Sequence, residues 1–393
     1  MIAVCPRGIT HRDDRGGCRR GPSRRGSVPA EQYVRVGRLT RTAITHPIVQ
    51  APMAGGPSTP ALAASVSTAG GLGFLAAGYK SVEAVQRELE EIRLLLAESA
   101  PYGVNLFAPP GHGAGVAGVT AYAERLREEA DRRAVTLGLP RWDDDCYEAK
   151  LDLLCAGQVP VVSMTFGCPS SAEVDRLHDA GSAVWVTVTT VQEAQFAQQA
   201  GVDGLIVQGV EAGGHRGGFD DTHPGDLGLL ALLQLVEAEV EDALPLIATG
   251  GLSTGHGIAA VLAAGAAAAQ LGTAFLLCPE AGTSQAHREM IRRNATPTAL
   301  TRAFTGRTAR GISNRFLREH TAHAPSAYPE IHHLTAPLRS AARAAGDADG
   351  FHLWAGQAYP LARSTPAAEL VLKLAADARD ALQTAAERIK TGD

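Results

Sequence analysis

No stretch of this chain stays apolar for long. Its hydrophobic runs are short and are broken by glycine or charge, so no transmembrane helix is expected. No two of its six cysteines have CxxC spacing. Cys5, Cys18, Cys146, Cys155, Cys168 and Cys278 are scattered, which argues against a disulfide framework or a zinc site and for a reducing cytoplasm. An excess of positive charge is also missing. The formal net charge is −5, so nothing favours nucleic acid or an anionic membrane as a partner. No GxGxxG opens a helix after a strand, so a Rossmann dinucleotide site is not supported.

What is present is a globular composition, 45% hydrophobic and 20% charged. The 393 residues exceed the roughly 250 that a (β/α)8 barrel uses, leaving room for a tail and a subdomain. Residues 1–39 are rich in Arg and Gly without apolar periodicity and read as a disordered basic tail. Asp13, Asp14 and the missing amphipathic pattern set it apart from a transit peptide, and no apolar core marks a secretory signal. A start site assigned too far upstream is the alternative.

From Ile44 onward strands and helices alternate. Ile44–Ala51 reads as the first strand, followed by the turn PMAGG. The helix after Ser81 has a clear stripe in Val82, Val85, Leu89, Ile92 and Leu96. Further strands are expected at 73–76, 102–107, 159–164, 183–188, 204–207, 246–248 and 267–271. Eight strands, each followed by a helix or an insertion, predict a closed α/β fold, the TIM (β/α)8 barrel. Two segments break the rhythm. Ala108–Lys150 starts as a Pro/Gly loop carrying His112, a solvated histidine, and continues as helices at 119–136 and 142–154. Gly282–Pro360 shows helix signals and no strand alternation, so a small helical subdomain over the carboxyl face of the barrel is expected there. The domains are thus 1–39, the barrel at 40–281 plus 361–393, and a helical lid at 282–360. His332 and His333 are adjacent, so on a helix they point apart and make a poor metal pair. Cys168, in TFGCP, reads as a small buried thiol rather than a nucleophile.

The segment GVDGLIVQGVEAGGHRGG, residues 201–218, is the centre of the chain. Leu205, Ile206 and Val207 form a strand covered on both faces, Gln208 ends it, and Gly213 and Gly214 allow close approach of a ligand or positive φ. His215 follows, at the end of a strand where parallel α/β folds bind ligands, and a histidine there can exchange protons near neutral pH. HRGG read alone is equally a solvated loop. Glycine-bearing turns also end the first, seventh and eighth strands: PMAGG, TGGL and QLGT. The last two have the place and composition of a barrel phosphate site. With Asn105 and Gln208 at strand ends and backbone near Met53, the set suits a bound flavin mononucleotide (FMN).

Five segments then carry a likeness: HPIVQAPMAGG with STPALAASVSTAGGLGFL, YGVNLF, GVDGLIVQGVEAGGHRG, PLIATGGLSTGHGIAAVLAAGAAAAQLGTAFL, and ARGISNRF. From about Ile44 to the C-terminus the chain resembles the nitronate monooxygenases, formerly called 2-nitropropane dioxygenases. The resemblance implies an FMN-dependent TIM barrel that oxidises alkyl nitronates with O2 to carbonyl compounds and nitrite, without a reduced nicotinamide. It implies FMN contacts at Met53, Asn105, Gln208, Gly213, Gly251, Gln270, Leu271, Gly272 and Thr273, with Gly214 and Gly250 in the same turns. It puts the catalytic histidine at His215, whose imidazole hydrogen-bonds to the anionic nitro oxygens or takes the α-proton of a neutral nitroalkane. Cys168 stands where an apolar residue is expected. The implied partners are a nitronate or nitroalkane and O2, and a homodimer stays open. The competing readings are a flavin-dependent enoyl-ACP reductase or NAD(P)H:quinone reductase on the same barrel, and a flavin-holding barrel without turnover.

Overall fold

The computed structural model describes residues 44–97, 100–109, 111, 116–240 and 244–390. The expected tail at 1–39, with Cys5 and Cys18, and His112 lie outside the described residues.

Eight parallel strands form one sheet: β1 (Ile48–Gln50), β2 (Gly73–Ala76), β3 (Tyr102–Phe107), β4 (Val161–Thr165), β5 (Ala183–Val188), β6 (Gly204–Gln208), and, after a two-residue strand β7 (Gly214–His215) that belongs elsewhere, β8 (Leu246–Thr249) and β9 (Ala268–Leu271). Their order is β1-β9-β8-β6-β5-β4-β3-β2. A parallel bridge between Val49 and Leu72 joins the two ends, with Gln50 N–H donating to Leu72 O at 2.9 Å and Leu72 N–H to Ile48 O at 3.0 Å. The barrel is therefore closed, as the alternation predicts.

Its interior is packed by Val49, Phe74, Val161, Trp185, Ile206, Ile247 and Ala268. Phe74 and Trp185 meet across it with ring centroids 5.8 Å apart, tilted by 42°. Gly103 makes this possible, because a Cβ there would lie 2.3 Å from the Phe74 ring. The outer layer joins the other strand faces to the helices through Leu62, Leu89, Leu177, Leu233, Ile258 and Val371. Hydroxyl N-caps start these helices where the strand-to-helix loops end: Thr59, Ser81, Ser170, Thr190 and Thr254 each accept a first-turn N–H. The closing helix, Ala367–Lys390, lies on the helix Gly255–Ala263, and Gly255 gives it room, since a Cβ there would meet Asp377 Cβ at 2.4 Å.

The late segment departs from the all-helical expectation. It carries helices at Gln285–Arg293, Arg315–His320 and Glu330–Ala344, but also β10 (Thr298–Thr301) and β11 (Ala309–Ile312). These pair antiparallel, and β11 pairs antiparallel with β7. Four-residue strands with one Arg and several small residues give little period-2 signal, so their pairing is set by tertiary contact. The early insertion joins the same unit. Val119, Tyr122, Leu126 and Ala130 share a core with Phe304, Phe316, Ile331, Leu334 and Leu338, and Tyr122 Oη donates to Ala303 O at 2.7 Å. The unit over the barrel is thus built from both interruptions rather than from 282–360 alone. The helix expected at 119–136 is divided into Val116–Arg125 and Arg127–Arg132, and that expected at 142–154 runs Tyr147–Ala156, after Asp145 and Cys146 in left-handed backbone. Among the described residues no helix is long and apolar enough to cross a membrane.

Candidate active site at the carboxyl end of the barrel

At the end of β6 the chain turns sharply because glycine permits it. A Cβ on Gly213 would lie 2.4 Å from Gly356 N and 2.5 Å from Ala355 C, so the segment at 355–356 packs directly on its backbone. Gly214 has φ +78. The chain then extends into β7, where His215 pairs with Ala309, and Arg216 N–H donates to Thr308 O at 2.8 Å. His215 is therefore held on a strand edge, not on a solvated loop. Local glycine content hides this, because β7 exists only when β11, nearly a hundred residues later, lies beside it.

Two neighbours fix the turn. The Arg216 guanidinium is buried and donates to Gln208 O at 3.0 Å, Gln208 Oε1 at 3.1 Å, Gly209 O at 2.8 Å and Pro224 O at 3.2 Å. Gln208 donates from Nε2 to His215 O at 3.1 Å and accepts Gly217 N–H at 2.9 Å. Its amide is thus committed within the protein.

The imidazole of His215 reaches Thr305 Oγ1 from Nε2 at 2.8 Å. Phe166 lies edge-on at 5.7 Å, with Trp354 at 5.4 Å and Tyr328 at 6.2 Å. Phe166 has φ +78 and is held by its N–H to Gly217 O at 3.1 Å, with the Arg307 guanidinium 4.0 Å over its ring. Burial, and after it the positive charge of Arg307, lowers the His215 pKa to about 3, so the ring is neutral near pH 7.

His215 opens on a cavity of about 530 Å³. Met53, Asn105, Gln208, Gly213, Gly214, Gly250, Gly251, Gln270, Leu271, Gly272 and Thr273 all line it with His215. At its floor Gly250 and Gly251 have φ +116 and +68. Met53 N–H donates to Ser58 Oγ at 2.9 Å, and the Asn105 amide donates to Ser163 O at 3.1 Å and Thr165 Oγ1 at 3.0 Å. Gln270 Oε1 is buried without a hydrogen-bond partner among the described residues. Such an orphaned acceptor at a cavity wall marks a place for a donor from outside the chain.

The roof was not legible from the sequence. Arg339 and Arg343 line the cavity from the helix Glu330–Ala344. Arg339 is buried and is held by Thr335 Oγ1 at 2.9 Å and His332 O at 2.7 Å, without a carboxylate partner among the described residues. Tyr79, in left-handed backbone at φ +66, stacks on His332 at 4.2 Å. Burial and then Arg339 lower His332 to about 2, and burial and then Arg343 lower His287 to about 4. The local positive charge therefore comes from guanidinium groups, not imidazoles. His333 turns away to Asp143, so the two adjacent histidines do diverge. Cys168 packs against the barrel core and does not line the cavity; burial pushes its thiol up to about 12. Thr305, Arg339 and Arg343 carried no local signal, because only packing of the late segment onto the barrel brings them to His215.

The family model described as nitronate monooxygenase matches residues 37–377. A nitronate monooxygenase of Pseudomonas aeruginosa is 40% identical over 358 residues, covering 87% of this chain and 99% of that protein. The crystal structure of nitroalkane oxidase from Streptomyces ansochromogenes is 49% identical with a TM-score of 0.83, covering 87% of this chain and 98% of that one. FabK from Thermotoga maritima shares the fold at 25% identity and a TM-score of 0.69, covering 91% and 98%. The match along nearly the whole barrel and its roof decides the assignment: the chain belongs to the nitronate monooxygenase family and is an oxidoreductase.

Proposed function

We propose that the protein binds FMN in this cavity and oxidises alkyl nitronates, and nitroalkanes bearing an α-hydrogen, to carbonyl compounds and nitrite with O2 as electron acceptor. The cavity suits such a group. Its volume lies within the roughly 300–1,000 Å³ of small-molecule and cofactor sites. Its floor is backbone-rich at Gly250, Gly251 and Gly272, and the Gln270 side chain has an unused acceptor. In this reading Gly251, Gly272 and Thr273 hold the phosphate at the ends of the last two barrel strands. Met53, Asn105 and Gln270 serve the ring and ribityl portions, while Gln208 acts by holding the His215 turn. FMN, when bound, supplies the electron-accepting chemistry of the reaction.

The remaining work belongs to the chain. Arg339 and Arg343 make the cavity attractive to an anion such as a nitronate. Phe166 and Trp354 line it with apolar surface, which excludes water around the reacting atoms. His215, neutral, accepts the α-proton of a neutral substrate and, once protonated, can donate to the nitro oxygens. The observation that carries the reading is this histidine, fixed on a strand edge at the wall of a cationic cavity. A cytoplasmic setting fits Cys146, Cys155, Cys168 and Cys278, which are all free. The NAD(P)H-dependent reductase alternative is not favoured, since the FabK likeness is the more distant one.

The test is the visible spectrum of the purified holoenzyme mixed anaerobically with ethylnitronate. Prompt loss of the oxidised-flavin absorbance is expected. Flavin that ignores the nitronate and is bleached by NADH or NADPH would transfer the protein to the reductases.

A further inference from the structure

We propose that Thr305 is a positioning residue that fixes the tautomer of His215, so that Nε2 carries the proton and Nδ1 faces the reaction as a bare acceptor. The inference rests on the reading of His215 as the proton-handling group.

The argument is a proton count at one hydroxyl. Thr305 Oγ1 is buried and has one close partner, His215 Nε2 at 2.8 Å, and two longer ones within its own turn, Arg307 O at 3.3 Å and Arg307 N at 3.5 Å. A threonine hydroxyl has one proton to give and two lone pairs to offer. Arg307 N–H is a donor, so it takes one lone pair. Arg307 O is an acceptor, so it takes the proton. The lone pair that remains faces His215 Nε2, which assigns the ring proton to that nitrogen. The reverse arrangement, with Thr305 donating to the ring, leaves the Arg307 carbonyl without its hydroxyl donor.

Nδ1 makes no hydrogen bond to any described residue, so the in-plane lone pair is left for a substrate. An α-C–H bond placed there breaks with its proton going to Nδ1. The electron pair moves into the C–N bond and onto the nitro oxygens, giving the nitronate; no oxidant takes part in that step. The groups that set the charge around the ring are Arg307 on the same turn as Thr305, Arg339 on the roof helix, and Asp221 on the segment after β7. His332 and His352 are both depressed by burial and stay neutral beside it. Arg307 also anchors the Thr305 turn, through Nε to Arg216 O at 3.3 Å and through Nη2 to Gly218 O. The hydroxyl is thus fixed by the same strand pairing that fixes the histidine.

Two measurements test this. The first is ¹⁵N–¹H correlation on the holoenzyme labelled at histidine nitrogen near neutral pH, with the His215 signals assigned by their loss in His215→Gln. A proton on Nε2 and a bare Nδ1 are expected; a proton on Nδ1 overturns the proposal whatever the activity. The second compares nitroethane with ethylnitronate in Thr305→Val and Thr305→Ser. Loss of one orienting hydrogen bond in Thr305→Val is expected to lower kcat/KM for nitroethane roughly tenfold. Ethylnitronate needs no proton removed, so its kcat/KM should stay within about twofold, and the hydroxyl of Thr305→Ser should restore nitroethane turnover. The deuterium isotope effect on the α-carbon should rise in Thr305→Val. Equal losses on both substrates, no loss on either, or a wild type that turns over only the nitronate would each overturn the role. A wild type that oxidises neither substrate defeats the functional reading instead, and the tautomer measurement then decides this proposal alone.

Discussion

Replacing Arg216 by Met removes the clamp under the His215 turn while keeping the length and much of the bulk of the side chain. Four hydrogen bonds go with it, to the carbonyls of Gln208, Gly209 and Pro224 and to Gln208 Oε1. Gln208 Oε1 keeps Gly217 N–H and Gly209 O keeps Ala212 N–H, so the loss falls mainly on Gln208 O and Pro224 O, at about 1–3 kcal/mol each. Two terms work the other way: the desolvation of a guanidinium is no longer borne by the folded state, and the thioether packs well in apolar surroundings. These offset part of the cost, and a net loss of roughly 1–2 kcal/mol is expected. For a folded unit of this size, that lowers Tm by about 2 °C. The larger effect falls on catalysis, because Gln208, which holds His215 O, loses its own anchor. Displacement of a reacting group by about 1 Å can cost on the order of a hundredfold in rate. The assay pairs thermal unfolding of the flavin-loaded protein with steady-state oxidation of nitroethane, whose α-proton His215 must take. If Arg216→Met lost stability on this scale yet kept kcat/KM within about twofold, the turn would be held by β7–β11 pairing alone and the clamp would be refuted.

Two further outcomes follow from groups buried near the site. Lys150 is buried, pairs with Asp145 at 2.8 Å and donates to Ala77 O at 3.0 Å, while Asp145 accepts the N–H of cavity-lining Tyr79 at 3.0 Å. Lys150→Met leaves that carboxylate unpaired and should cost about 3–5 kcal/mol in denaturant unfolding, with Asp145→Asn in the same chain recovering at least about 1 kcal/mol; a double variant no better than the single one would refute the pairing. Acid should also destabilise the fold. His215, His287 and His332 are depressed by burial and then by Arg307, Arg343 and Arg339 respectively, so each stays neutral when folded but protonates near 6.5 when unfolded. The unfolded chain then binds more protons, and stability falls as pH drops from about 6.5 toward 4, by up to about 1.4 kcal/mol per pH unit for each histidine. Tm measured across that window in His287→Gln should fall less steeply than in the wild type; parallel curves would refute the contribution.

What the chain makes legible and what it conceals divide along sequence distance. A barrel strand announces itself within a few residues: Leu205–Val207 must be covered on both faces, and Gly213–Gly214 must turn sharply because a Cβ at 213 has nowhere to go. The floor of the site is built from such strand ends, so its residues were open to local reasoning. The wall and roof are not local. His215 acquires a strand conformation only from Ala309, its hydrogen-bond partner only from Thr305, and its cationic surroundings only from Arg307 and Arg339. Phe166 and Tyr79 adopt left-handed backbone with no glycine to mark it, because neighbouring packing over-determines them. The same distance explains why the late segment looked purely helical: β10 and β11 are stabilised by each other and by β7 rather than by their own alternation. A barrel of this kind can therefore keep its floor while the inserted unit resets the charge, the tautomer and the shape above it. In this chain those choices converge on one short strand edge, where Gly214, His215 and Arg216 are held against residues 308–310.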